Sequence, residues 1–89
     1  MSPQERFAAN LRRARTTAGI SQEELGNRCD LHRTEISLLE RAGREPRLGT
    51  IVKLAGALET TPGDLCAGIS WAPASHRFEV KQPPRAAEK

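Results

Sequence analysis

The chain has 89 residues and a formal charge of +3, with 14 lysines and arginines against 11 aspartates and glutamates. That is one small domain with a modest core, since a chain this short buries only about 60% of the surface it exposes when unfolded. No apolar run approaches the ~20 residues of a membrane span. The opening MSPQERFAAN has no apolar leader segment, so a cytoplasmic protein is expected. Two cysteines make no disulfide scaffold, and Cys29 and Cys66 are expected as small buried apolar residues. Arginine supplies most of the positive charge and lies mainly before residue 48. This suits a polyanionic partner, although a merely solvated surface carries the same signature.

A first helix is expected from Ser2 onward. Ser2 is its N-cap, Pro3 suits the first helical position, and Glu5 stands where a capping box needs it. Phe7, Leu11, Ala14 and Ala18 recur at helical spacing, and Gly19 ends the helix. Ser21 opens the second helix, with Glu24 completing a second S-x-x-E box. Leu25 and Cys29 share one face, and Gly26 leaves room for a neighbouring helix. This helix is expected to end near Arg28 or Cys29.

The third helix spans about Arg33 to Arg41, with Ile36 and Leu39 inward and its end near Gly43. Arg44-Glu45-Pro46-Arg47 is a connector, because the residue before proline is pushed out of helical geometry. Leu48, Ile51, Val52, Leu54, Ala55 and Leu58 give the fourth helix a wide apolar arc, expected to be the central packing element. Thr61-Pro62 caps a short fifth helix carrying Leu65 and Cys66 and ending at Gly68. Ile69-Ser70-Trp71 and Arg77 to Val80 then alternate as short strands do, with a turn at 72–76. The closing KQPPRAAEK is expected to be disordered.

With Ile36 and Leu39 inward, Arg33, Thr34, Ser37 and Leu38 fall on the outer side of the third helix or its edges. One guanidinium, two hydroxyls and one aliphatic group can read a DNA major groove: arginine pairs with guanine edges, hydroxyls serve several bases, and leucine touches a thymine methyl. An ordinary solvated helix face has a similar composition. Arg15 and Glu40 each lie four residues from an apolar position, Leu11 and Ile36. Two opposite charges near apolar rows are expected to meet, because a buried charge without a partner costs several kcal/mol or so.

Four segments in order and with matching gaps carry a resemblance: LRRARTTAGISQEELGNR, TEISLLER, PRLGTIVKLAGAL and TPGDL. Over residues 4–66 the chain resembles the phage-repressor-like helix-turn-helix family, also called the xenobiotic-response-element family. The resemblance implies an all-α, compact five-helix bundle whose second and third helices bind double-stranded DNA, the third in the major groove. It implies base reading by Arg33, Thr34 and Leu38, with Ser37 and Glu35 beside the groove. It implies a phosphate bond from Gln22 at the helix start opened by Ser21, where free backbone N–H groups favour an anion. It also implies that Arg15 and Glu40 form a structural ion pair.

Three departures from the family pattern have consequences. His32 replaces the Ser or Thr that caps the third helix; histidine caps poorly but can donate to a phosphate. Ala42 stands where glycine is usual, with Gly43 one later, so the helix exit is expected to shift. Arg47 replaces a capping hydroxyl, which with Arg44 puts two phosphate candidates in the following loop. Arg12 and Arg13 are expected at the surface.

Residues 1–68 are therefore expected to be the DNA-binding domain and 69–89 a C-terminal extension. Ile69, Trp71, Phe78 and Val80 either lie back over the bundle or form a hairpin arm, with Trp71, Phe78 and Val80 meeting a second subunit. The expected function is a homodimeric, sequence-specific transcriptional regulator, most simply a repressor. The alternatives are an antitoxin that represses its own operon and also binds a toxin, and a protein-interaction adaptor on the same fold. No catalytic set, metal-ligand cluster or phosphate-binding glycine loop is present in the sequence, so neither an enzyme nor a cofactor is expected.

Overall fold

The computed structural model describes residues 1–83. In chain order its elements are α1 (Pro3–Ala18), α2 (Gln22–Cys29), α3 (Arg33–Glu40), α4 (Leu48–Ala57), α5 (Pro62–Leu65), β1 (Ile69–Ala72) and β2 (Arg77–Val80). Among the described residues no helix is long and apolar enough to cross a membrane.

Local chemistry sets most helix ends. Ser2 and Glu5 form the full capping box, each side chain bonding the other's backbone N–H, and Gly19 closes α1 in the left-handed region. Thr61 Oγ1 accepts from the Asp64 N–H and opens α5 behind Pro62. The second box is only half made. Ser21 Oγ accepts from the Glu24 N–H, but the Glu24 carboxylate turns along the helix to Arg28.

Phe7, Leu11, Leu25, Cys29, Ile36, Leu39, Leu54, Ala55 and Leu65 form one core. The Cys29 thiol is buried in it and donates to the Leu25 carbonyl, and Cys66 is half-buried; both are free thiols. The fourth helix is not the central element expected from its apolar arc. Only Leu54 and Ala55 of α4 are buried, while Leu48 is 77% and Val52 52% exposed. Periodicity marks a wide arc, but the four other helices cover only part of it.

The tail does form an antiparallel hairpin, pairing Ile69 with Val80, Ser70 with Glu79, Trp71 with Phe78 and Ala72 with Arg77. It is fixed to α1 by a residue that carried no sequence signal. Arg6 is buried, and its Nε and Nη1 each donate at 2.9 Å, to the carbonyls of Ala67 and Lys81. Gly68, at φ 87°, lies directly over that guanidinium, where a Cβ would come within 2.7 Å of Nε. Asn10 Nδ2 donates at 2.9 Å to the carbonyls of Leu65 and Ala67. Lys81 therefore does not begin a disordered tail: its N–H also donates to the Gly68 carbonyl. The rest of that expectation, residues 84–89, lies outside the described residues.

Candidate nucleic-acid interface

The tight corner between α2 and α3 positions the outward face. Asp30 takes a left-handed conformation at the end of α2, and the Leu31 N–H donates back to the Gly26 carbonyl. Gly26 is required here, since a Cβ would stand 2.4 Å from the Leu31 carbonyl oxygen. The closest approach is from the corner itself, and the backbone of Arg33, the first residue of the neighbouring α3, lies just beyond it, 3.5 Å from the same Cβ position. His32 then caps α3, contrary to its low general preference: its Nδ1 accepts from the Thr34 N–H at 3.0 Å. With Nδ1 accepting, the ring proton sits on Nε2, at an exposed position beside Arg33.

Along α3 the two sides differ sharply. Ile36 and Leu39 are 0% and 1% exposed and hold the helix in the core. Arg33 and Thr34 are exposed, and Ser37 and Leu38 are half-buried. Leu38 rests against Gly43, where a Cβ would come within 3.2 Å of its Cδ2. The exit from α3 follows from that contact. Gly43 keeps an ordinary backbone and leaves room for Leu38, while Ala42 takes the left-handed conformation at φ 58°.

Beneath α3 lies a charged cluster. The Glu40 side chain is 0% exposed and receives Arg15 Nε at 2.6 Å and Nη2 at 3.0 Å. Gln22 Nε2 donates to the same carboxylate at 3.1 Å, and the mostly exposed Arg12 stands 3.7 Å away. Burial pushes the Glu40 carboxyl up, but the bonds from Arg15 and Gln22 and the charges of Arg15 and Arg12 outweigh it and hold it below the usual range. The bond to Glu40 raises the Arg15 guanidinium in turn. Arg15 also donates to the Ile20 carbonyl, so one side chain ties α1, the turn before α2, and α3.

Gln22 was expected to serve a phosphate. One amide N–H is committed to Glu40, which leaves one for an external acceptor at the start of α2, beside the exposed Ser21. Arg44, expected in the loop as a phosphate ligand, donates to Glu35 instead. That pair is partly exposed, Arg44 more than Glu35. Arg47 sits at the start of α4 as its N-cap residue, exposed and with no side-chain cap bond. Arg33, Arg47 and His32 are thus exposed, and Gln22 keeps one amide hydrogen beyond its bond to Glu40. Trp71 and Phe78 lie on the hairpin at 52% and 55% exposure, while Val80 is half-buried at its base.

The chain matches a helix-turn-helix family model over residues 11–65. Control protein C.BamHI of Bacillus amyloliquefaciens is 43% identical over 60 residues, covering 66% of this chain and 74% of that protein. The crystal structure of the restriction-modification controller protein C.AhdI from Aeromonas hydrophila superposes with a TM-score of 0.68 at 39% identity, covering 70% of this chain and 94% of that one. The P22 c2 repressor, solved in complex with a synthetic operator, superposes at 0.66 with 29% identity over the same shares of the two chains.

Proposed function

The chain belongs to the helix-turn-helix family, and from that membership and the geometry above we propose that it is a sequence-specific DNA-binding transcriptional regulator, acting as a homodimer with α3 in the major groove. One observation carries the reading. Ile36 and Leu39 anchor α3 in the core while Arg33 and Thr34 stand free at its start, where a helix entering the groove presents its first residues to base edges. Arg33 is the guanine-reading candidate, Thr34 and Ser37 its hydroxyl neighbours, and Leu38 a methyl contact at the edge. Ser21, Gln22, His32 and Arg47 set the register on phosphates, which positions the helix without reading sequence. Arg44 contributes there only after leaving Glu35. Buried Glu40, through Arg15 and Gln22, fixes the angle between the phosphate-binding end of α2 and the reading face of α3.

The similarity to control proteins of restriction-modification systems makes a role in controlling such genes the first to test. Nothing in the relatives favours a toxin partner. A pure adaptor leaves Arg33 and the open Gln22 amide without use.

The test is selection of bound fragments from the source genome, followed by affinity measurements at several salt concentrations. A small set of fragments should be retained, and log affinity should fall with log salt by about 0.9 per phosphate neutralised. Retention of no fragment above bulk DNA removes the regulator reading.

A further inference from the structure

We propose that the C-terminal hairpin joins two copies of this chain by pairing β2 with β2 of a second copy, antiparallel and centred on Phe78, into one four-stranded sheet. The proposal deepens the homodimer of the preceding reading by naming its contact.

The backbone sets which groups are free. The Lys81 N–H donates to the Gly68 carbonyl at 2.8 Å. Bonded and non-bonded pairs alternate along an antiparallel ladder. In the observed register, Ser70–Glu79 and Ala72–Arg77 are therefore the bonded pairs, and Trp71–Phe78 and Ile69–Val80 are not. The N–H and C=O groups of Phe78 and Val80 thus point away from β1, along an edge that no other described strand covers. An exposed edge of this kind templates a further strand.

The side chains choose the register. A two-fold pairing must be centred on a residue of β2, Arg77-Phe78-Glu79-Val80. Centring on Arg77 sets arginine against arginine, and centring on Glu79 sets glutamate against glutamate. Centring on Val80 opposes Glu79 to Lys81 but places Phe78 against Gln82, next to a proline that has no N–H to give. Centring on Phe78 sets Arg77 against the partner's Glu79 and Glu79 against the partner's Arg77, and it engages both outward backbone groups of Phe78. Opposite charges facing each other across strands stabilise, and like charges destabilise. By contrast, β1 reads ISWA and has no charge with which to fix a register.

The same pairing uses the exposed aromatics. Trp71 and Phe78 are cross-strand partners on one face, with ring centroids 5.1 Å apart at 75°. In a single copy both residues stay about half exposed. In the paired sheet both copies turn this face to the same side. The rings then form a row of four, in which each Phe78 has a phenylalanine on one side and Trp71 on the other.

The test is charge exchange within one chain, followed by sedimentation equilibrium of the full-length protein. Far-UV circular dichroism confirms the fold, which these exposed positions leave intact. Arg77→Glu and Glu79→Arg each turn two symmetry-related attractive pairs into repulsive ones. Each should raise the dimer dissociation constant by about tenfold. The double variant Arg77→Glu/Glu79→Arg restores opposite charges and should return to within about threefold of wild type. An equimolar mixture of the two single variants should associate more tightly than either alone. Emission of Trp71, the only tryptophan, should shift to the blue as wild type dimerises. A wild type that stays monomeric, single variants that dimerise like wild type, or a double variant as weak as the singles would each overturn the proposal. If the dimer ignores the charge exchange but the operator is still bound specifically, the hairpin contact is refuted and the regulator reading stands.

Discussion

Replacing Glu40 by glutamine removes one negative charge and leaves the shape of the side chain almost unchanged. The site is dry on the carboxylate side, and the Arg15 side chain is only 15% exposed. Taking away one partner of a buried pair costs about 3–5 kcal/mol, because the other charge stays buried without compensation. Arg15 keeps its bond to the Ile20 carbonyl and some access to water, which places the expected cost at the low end, about 3 kcal/mol. For a chain of this length total stability is about 4–13 kcal/mol, so the loss is a large share of it. In urea, with a slope of about 1.5 kcal/mol per molar, the midpoint of the 222 nm ellipticity transition should fall by about 2 M.

The control is Arg28→Ala, which breaks the exposed pair with Glu24 and should cost less than about 1 kcal/mol. Acid adds a second readout. An unfolded glutamate titrates near 4.3, and the folded Glu40 carboxyl lies lower. Its contribution is therefore complete above about pH 4.3 and disappears as the pH falls through the folded value. The gap between wild type and Glu40→Gln should narrow over that interval. A glutamine variant no less stable than Arg28→Ala, or a gap that does not change with pH, would refute the view that this carboxylate holds the two DNA-facing helices together.

Two substitutions test the corners around α3. Ala42→Gly relieves a left-handed alanine and should stabilise the domain by about 1 kcal/mol, seen as a rise of roughly 4–8 °C in Tm; no rise would show that the exit is not strained. Gly26→Ala drives a methyl against the Leu31 carbonyl and should cost about 2 kcal/mol or more, lowering Tm by roughly 10 °C and weakening operator binding as the corner opens. A loss of only a degree or two would mean that the corner yields freely.

Much of this architecture was legible in the sequence because it is locally encoded. Ser2, Gly19, Thr61 and Pro62 mark helix ends through bonds within a few residues, and the spacing of Leu11, Leu25, Ile36, Leu39 and Leu54 marks the core. What escaped depends on partners far along the chain. Arg6 looks like any surface arginine until the carbonyls of Ala67 and Lys81, 61 and 75 residues away, close over it. The expected phosphate bond of Gln22 left out its second role, because the bond to Glu40 spans 18 residues. Arg44 looked free for the same reason, its partner Glu35 lying nine residues back on a different element. The arc of α4 was over-read in the opposite sense: apolar periodicity shows which residues share a face, and only the fold shows whether Leu48 and Val52 are covered. The histidine cap escaped because cap preferences are averages: the Nδ1 of His32 takes the N–H two residues on, where Ser2, Ser21 and Thr61 take the one three residues on.

The reading role of α3 is tested most directly by Arg33→Ala, titrated against the selected operator and each of its single-base-pair variants over a range of salt. The expected result is a loss of about 1–3 kcal/mol confined to one base pair, tolerance of all four bases at that pair, and an unchanged salt slope. Uniform weakening on every sequence, with the log–log slope reduced by about 0.9, would show Arg33 on a phosphate and contradict base reading by this helix.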